Sequence, residues 1–154
     1  EARAIARSVK FPPIGNRGID GAGLDADYAL DVDNFTDDAN DETFVIVQIE
    51  THNALQQVDE IAAVEGVDGV FVGPADLSLR LGLIDGAPTL EEAIVQVAAA
   101  AARQGKVWGT AGGDVEIWKK HREMGAQILI GAGDFALTGV LEAASKRMDE
   151  ALGD

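Results

Sequence analysis

Two acidic residues follow two neighbouring apolar runs, at the points where those runs end. Glu50 comes directly after the run 44–49, and Asp76 lies in the turn 73–76 that follows the run 69–72. Between the two runs, apolar residues recur at the three-to-four spacing of one buried helix face. A strand, a helix and a second strand form a right-handed parallel unit. Both acids are therefore expected at one edge of a sheet, where the carboxyl ends of parallel strands meet.

That edge is where α/β folds bind their ligands. Two carboxylates held close together repel each other unless a cation lies between them. Either acid alone could simply cap the helix that follows it, whereas two acids on adjacent strands favour a metal site. The chain has no cysteine, and carboxylates are hard oxygen ligands. The sequence therefore predicts Mg²⁺ or Mn²⁺ held by Glu50 and Asp76, with water and substrate completing the octahedron.

Few other residues could do chemistry at that edge. His52 lies two residues beyond Glu50 and could transfer protons there, although an ordinary surface histidine fits the same pattern. His121 falls within a predicted helix, as a structural or exposed residue. Arg17, a cation among glycines, could reach a carboxylate ligand or form a structural ion pair. No lysine falls at the carboxyl end of a predicted strand, where a Schiff-base lysine would be expected in a barrel aldolase.

The elements that would position these residues alternate along the chain. A helix over 1–11 comes first, and the acidic, poorly periodic stretch 20–42 is typical of a solvated loop or a short exposed helix. Four repeats of strand and helix follow. The predicted strands are 44–49, 69–72, 106–109 and 126–130. This alternation requires a parallel sheet covered by helices. The fold class is therefore α/β, and four such units form half of a (β/α)₈ barrel or a small open sheet.

The later helices carry recognisable signals at their ends. Thr89 and Glu92 have the spacing of a capping box, and Gly105 ends the same helix. Asp114 can cap the next helix. The side chains expected to be buried from that helix are Ile117, Trp118 and Met124. A last helix carries an apolar stripe between 137 and 152.

The composition limits the class of protein. A chain of 154 residues with 47% hydrophobic and 25% charged residues is typical of one soluble globular domain, here 1–154. The net charge of −15 argues against nucleic acid and anionic membranes as partners. No apolar run is long enough to span a bilayer, and no basic-then-apolar leader opens the chain. A cytoplasmic location is therefore the expectation.

Several segments resemble one known family. They are VQIET at 47–51, EIAAVEGVDGVFVGPADLS at 60–78, KFPPIGNRG at 10–18 and the distal segment 126–134. These segments are similar to the HpcH/HpaI aldolases, which are divalent-metal-dependent 2-oxo-acid aldolases of the phosphoenolpyruvate/pyruvate barrel superfamily. The likeness covers nearly the whole chain, more weakly through the acidic stretch, and GPADLS is its most specific motif.

The resemblance implies the carboxyl-terminal half of a (β/α)₈ TIM barrel in which Glu50 and Asp76 ligate the metal. The residues that would hold the pyruvate moiety are Gln48, Gly73, Pro74 and Ala75. The metal would bind the 2-oxo acid and stabilise the enolate that forms as the C3–C4 bond breaks. The implied reaction is cleavage of a 4-hydroxy-2-oxo acid to pyruvate and an aldehyde.

The family also places a His–Asp acid–base pair and a substrate-binding Arg on earlier strands, and nothing in this chain aligns with them. His52 and Arg17 are not assumed to replace them, so metal binding should survive better than catalysis. The resemblance further implies a homo-oligomer, a hexamer, whose last helix packs on a neighbour. Two alternatives stay open: a citramalyl- or malyl-thioester lyase of the same superfamily, and a non-catalytic metal-binding half-barrel that assembles with a partner.

Overall fold

The computed structural model describes residues 1–20, 23, 24, 28 and 34–153, except for the side chain of residue 135. Within them lies one four-stranded parallel sheet. Its strands are Ile46–Ile49 (β1), Gly69–Val72 (β2), Val107–Ala111 (β3) and Ile128–Ile130 (β4). The order in the sheet, β1-β2-β3-β4, is the order in the chain. A parallel sheet in which every strand pairs with the next has no switch point, as in a barrel and unlike a doubly wound open sheet.

Helices precede the sheet, connect its strands and follow the last strand. They are Ala2–Val9 (α1), Phe35–Glu42 (α2), His52–Gln56 (α3), Val58–Ala62 (α4), Pro74–Leu81 (α5), Leu90–Gln104 (α6), Val115–Glu123 (α7) and Asp134–Leu152 (α8). The predicted helix between β1 and β2 is thus two short helices, which meet at Gln57 (φ −106°, ψ 15°). The acidic stretch contributes α2, whereas its residues 21, 22, 25–27 and 29–33 lie outside the described part of the chain.

The predicted helix ends are confirmed. Thr89 and Glu92 form a reciprocal capping box at the start of α6, and Gly105 ends that helix in the left-handed conformation (φ 63°). The Asp114 carboxylate accepts hydrogen bonds from the main-chain N–H groups of residues 116 and 117 at the start of α7. These local sequence signals determine where α6 begins and ends and where α7 begins.

The core lies between the sheet and the helices on one of its faces. Alternate strand residues point to that face and are almost fully buried. They are Val47, Ile49, Val70, Val72 and Trp108. Helix α6 packs against β2 and β3. On the opposite face Gln48 is exposed and Phe71 is half-buried.

The burial predicted for α7 is wrong at Ile117. Ile117 was expected in the core, but its side chain is 42% exposed, and Trp118 and Met124 are half-buried. The buried residue of α7 is His121, at 7% exposure. Positions 117 and 121 are one helical turn apart on the same face, so this face meets the core only at its later turn. Among the described helices, none is both long and apolar enough to cross a membrane.

Candidate metal centre

The structure brings Glu50 and Asp76 to the same edge of the sheet. Ile49 pairs with Val72 across β1 and β2, so Glu50 and Gly73 are the first residues beyond the sheet on adjacent parallel strands. Asp76 lies three residues after Gly73, in the first turn of α5. Glu50 is half-buried and Asp76 is exposed. We call this carboxyl-terminal edge of the sheet the rim.

Gln48 and Gly73 are in direct contact at the rim. A Cβ atom on Gly73 would lie 2.3 Å from Gln48 Nε2, so only glycine leaves room for the amide as it stands. The Gly73 N–H donates to the carbonyl of Ile49 (3.1 Å) and is therefore already paired. Pro74 is the first residue of α5, where its missing N–H costs nothing. Ala75 follows it and is exposed.

A guanidinium joins the two acidic positions. Arg80 lies one helical turn after Asp76 on α5, and its Nη1 donates to Asp76 Oδ1 (2.8 Å) and to the main-chain carbonyl of Glu50 (2.9 Å). The Glu50 carbonyl and the Asp76 carboxylate therefore lie within two hydrogen-bond lengths of each other. Sequence reasoning missed Arg80, and the signal that could have found it is its i,i+4 spacing from Asp76.

The donor atoms at the rim fit a hard divalent cation. Among the described residues, neither the Glu50 carboxylate nor Asp76 Oδ2 accepts a hydrogen bond. Both are oxygen donors of the kind that Mg²⁺ and Mn²⁺ prefer. Within the same residues, no cluster of three or more His, Cys, Asp or Glu could hold a metal. The protein would therefore supply two carboxylates, and water or substrate would have to supply the remaining ligands.

His52 also lies at the rim. It is the first residue of α3, and Thr51 caps that helix by accepting a hydrogen bond from the N–H of Ala54 (3.0 Å). The His52 side chain is half-buried. His52 lies near Glu50 at the rim, as its position two residues after Glu50 in the sequence predicted. A cavity of about 260 Å³ opens next to Gln48 and Glu50, with α1 on its other side.

Arg17 is placed elsewhere. Its guanidinium lies 4.6 Å above the ring of Phe11, and the main-chain N–H of Arg17 donates to the carbonyl of Lys10 (3.0 Å). The buried ammonium of Lys10 donates to the carbonyl of Thr43 and lies 3.6 Å from the carboxylate of Asp68. Thr43 and Asp68 precede β1 and β2. Arg17 thus belongs to a cluster at the amino-terminal ends of these strands, opposite the rim.

Trp118 packs against the rim beyond β3 and β4. Its indole N–H donates to the carbonyl of Gly112 (2.8 Å). A Cβ atom on Gly131, the first residue after β4, would lie 2.6 Å from the indole ring. The glycine that follows β4 therefore makes room for the Trp118 side chain, and the carbonyl of the glycine that follows β3 accepts its N–H.

A second, apolar cavity of about 340 Å³ lies between α6, α7 and the end of β3. His121 lines it and contacts the ring of Trp108 edge-on, at 5.8 Å between ring centroids. Burial, with a smaller effect of the neighbouring Lys120, lowers the pKa of His121. Its Nδ1 atom is buried and has no partner among the described residues. His121 is therefore buried, not exposed.

Comparison with known proteins identifies relatives. A sequence model of the HpcH/HpaI aldolase/citrate lyase family matches residues 1–137. The hydroxypyruvate/pyruvate aldolase of Sagittula stellata is 39% identical over 131 residues, which are 84% of this chain and 51% of that protein. The 4-hydroxy-2-oxo-heptane-1,7-dioate aldolase of Escherichia coli is 35% identical over 150 residues, covering 96% of this chain and 57% of that protein.

The fold matches as well. The crystal structure of an HpcH/HpaI aldolase from Desulfitobacterium hafniense superposes with a TM-score of 0.81 at 35% identity, and the match covers 96% of this chain and 59% of that one. The chain therefore spans little more than half the length of the relatives it matches. Its four strand–helix units form half of a (β/α)₈ barrel, which confirms the predicted fold class.

Proposed function

The chain belongs to the HpcH/HpaI aldolase/citrate lyase family, and on that premise we propose that it carries the metal centre of a carbon–carbon lyase. The reaction would be cleavage of a 4-hydroxy-2-oxo acid to pyruvate and an aldehyde. Glu50 and Asp76 would hold Mg²⁺ or Mn²⁺. The observation that carries this proposal is the pair of acids that follow adjacent parallel strands at one edge of the sheet. Among the described residues, none donates a hydrogen bond to the Glu50 carboxylate or to Asp76 Oδ2.

The residues around the two acids suit a 2-oxo acid. A bound divalent cation supplies Lewis acidity, which offsets the negative charge that develops on the substrate as the carbon–carbon bond breaks. The Gln48 amide would orient the pyruvate moiety from the face of the sheet away from the helices. The N–H groups of Ala75 and Asp76, in the first turn of α5, have no acceptor among the described residues. Together with Pro74 and Gly73 they form a helix start suited to a carboxylate.

The names of the relatives support aldol cleavage over the alternatives. Both curated relatives described above are called aldolases. A citramalyl- or malyl-thioester lyase would have to bind a larger, anionic substrate, and the net charge of −15 does not favour that. For proton transfer this chain offers His52 at the rim. The family's acid–base pair and substrate Arg have no counterparts here, so a full reaction would need groups from outside the chain.

The same proposal extends to assembly and location. Large apolar side chains on α8 are exposed, among them Leu137 at 65%, Leu141 at 69% and Leu152 at 72%. Such a stripe supports packing on another protomer of a homo-oligomer, a hexamer if the family pattern holds. The net charge of −15 supports a protein with neither nucleic-acid nor membrane partners, and the proposal keeps a cytoplasmic location.

Exchange of the pyruvate methyl protons tests the reaction class. The chain is incubated with Mg²⁺ and pyruvate in deuterated water, and the methyl signal is followed by proton NMR. We expect a loss of signal that requires metal, that disappears in Glu50→Gln and that persists in Glu60→Gln, an exposed carboxylate on α4. Exchange that survives in Glu50→Gln contradicts the site. Metal binding without exchange favours the non-catalytic half-barrel, and cleavage of a malyl thioester instead favours the thioester lyase.

A further inference from the structure

Arg80 makes contacts that an ordinary surface ion pair does not make. Its bond to Asp76 is an i,i+4 pair on α5 with both side chains well exposed, and such pairs contribute little by themselves. The same Nη1 atom also donates to the carbonyl of Glu50, thirty residues away in the chain. One guanidinium nitrogen therefore links the start of α5 to the end of β1, the two segments that carry the proposed metal ligands.

The bond geometry leaves the ligand atoms available. Arg80 occupies Asp76 Oδ1 and the main-chain oxygen of Glu50. It does not engage Asp76 Oδ2 or the Glu50 carboxylate, so the guanidinium does not fill the place that a metal would take. Arg80 is therefore placed as an outer partner, which hydrogen-bonds a metal ligand and orients it without contacting the metal. Carboxylates and carbonyls do the same for metal-bound histidines.

We propose that Arg80 is a positioning residue of this metal centre, which fixes the Asp76 carboxylate and couples it to the end of β1. This inference rests on the proposed function, because it assumes that Glu50 and Asp76 bind the metal. Two effects of the guanidinium oppose each other. Its charge repels a divalent cation, but solvent and salt screen that repulsion at an exposed rim. Loss of an outer partner typically weakens metal affinity about 10- to 100-fold, so positioning is expected to dominate.

Manganese binding to the 154-residue chain tests the proposal. Free Mn²⁺ is measured by electron paramagnetic resonance during titration of the wild type, Arg80→Ala, Arg80→Lys and Arg103→Ala. The last variant is a matched control, because Arg103 also pairs with an exposed aspartate, Asp59, but lies away from the rim on α6. Thermal unfolding followed by circular dichroism shows whether each variant is folded.

The expected result is a Kd for Mn²⁺ about tenfold higher in Arg80→Ala and unchanged in Arg103→Ala. Lysine at position 80 keeps the positive charge and an N–H donor, so Arg80→Lys should restore most of the affinity. An unchanged or tighter Kd in Arg80→Ala overturns the proposal, and so does a lysine variant as weak as the alanine variant. The Glu50→Gln variant distinguishes a failure of the Arg80 proposal from a failure of the proposed function. If it too leaves Mn²⁺ binding unchanged, the proposed function fails along with the role of Arg80.

Discussion

The contact between Gln48 and Gly73 makes one substitution informative. In Gly73→Ala the new Cβ atom would lie 2.3 Å from Gln48 Nε2, whereas ordinary contacts begin near 3.4 Å. Gly73 has φ −86° and ψ 90°, which is not the left-handed region that favours glycine. The substitution should therefore push the Gln48 amide aside by about 1 Å without straining the backbone.

Three contributions set the size of the effect on stability. Alanine restricts the unfolded chain more than glycine does, which stabilises the fold by about 0.4–1 kcal/mol. Gly73 is also the N-cap of α5, and alanine is a poorer cap by about 0.5–1 kcal/mol. These two contributions offset each other. What remains is the cost of moving Gln48 off its preferred rotamer, about 0.5–1.5 kcal/mol.

A double-mutant cycle isolates the free-energy cost of displacing the Gln48 side chain. The free energy of unfolding in urea is measured for Gly73→Ala in the wild type and in a Gln48→Ala background, where the clash is absent. We expect the cost to vanish in the second background, so that the coupling energy is about 0.5–1.5 kcal/mol.

Gly139→Ala is the matched control. A Cβ atom on Gly139, which lies in α8, would meet nothing within 4 Å, so its effect should be equal in both backgrounds. An equal cost of Gly73→Ala in both backgrounds would refute the reasoning. A loss above about 3 kcal/mol would also refute it, because losses of that size come from core or backbone damage.

Two further predictions concern the fold. In Gly109→Ala the Cβ atom would lie 2.2 Å from the main-chain oxygen of Ile128, which cannot move without breaking the pairing of β3 with β4. We expect a loss of more than about 2 kcal/mol in urea unfolding, and a loss below about 1 kcal/mol contradicts the contact. Because burial lowers the pKa of His121, the unfolded state takes up its proton first as the pH falls below about 6.5. Stability should then decline towards acid, by at most about 1.4 kcal/mol per pH unit for this group. His121→Leu should remove that part of the slope between pH 7 and pH 5, and identical slopes for the two proteins would show that His121 does not cause it.

Much of the fold could be predicted from the sequence, because its signals are local. Apolar runs of four to six residues alternate with helical stripes, and this pattern determines a parallel sheet. Strand β2 has the predicted bounds: it begins at Gly69 and is followed by Gly73. Strand β1 begins two residues later than predicted, because Phe44 is 73% exposed and does not pair. Strand β3 extends to Ala111, since residues 109–111 pair with β4 although their glycine and small side chains suggest a turn.

The rim could be predicted only in part. Parallel pairing of adjacent strands places Glu50 and Asp76 together whatever the side chains around them, so the sequence was sufficient for that. The i,i+4 spacing could have paired Arg80 with Asp76. The bond of Arg80 to the Glu50 carbonyl and the contact of Gln48 with Gly73 depend on side-chain directions that no spacing encodes. The part of α7 that meets the core was also beyond the sequence, because Ile117 and His121 share one helix face but only His121, one turn later, is buried.

The two tryptophans lie in very different surroundings. Trp108 is 2% exposed and forms part of the core, whereas Trp118 is half-buried beside the glycines that follow β3 and β4. The intrinsic fluorescence of the chain therefore comes from one buried tryptophan, Trp108, and one half-buried tryptophan, Trp118. A molecule that binds against Trp118 changes the emission wavelength and the quenching of that residue first. The emission of Trp108 continues to show whether the core is intact.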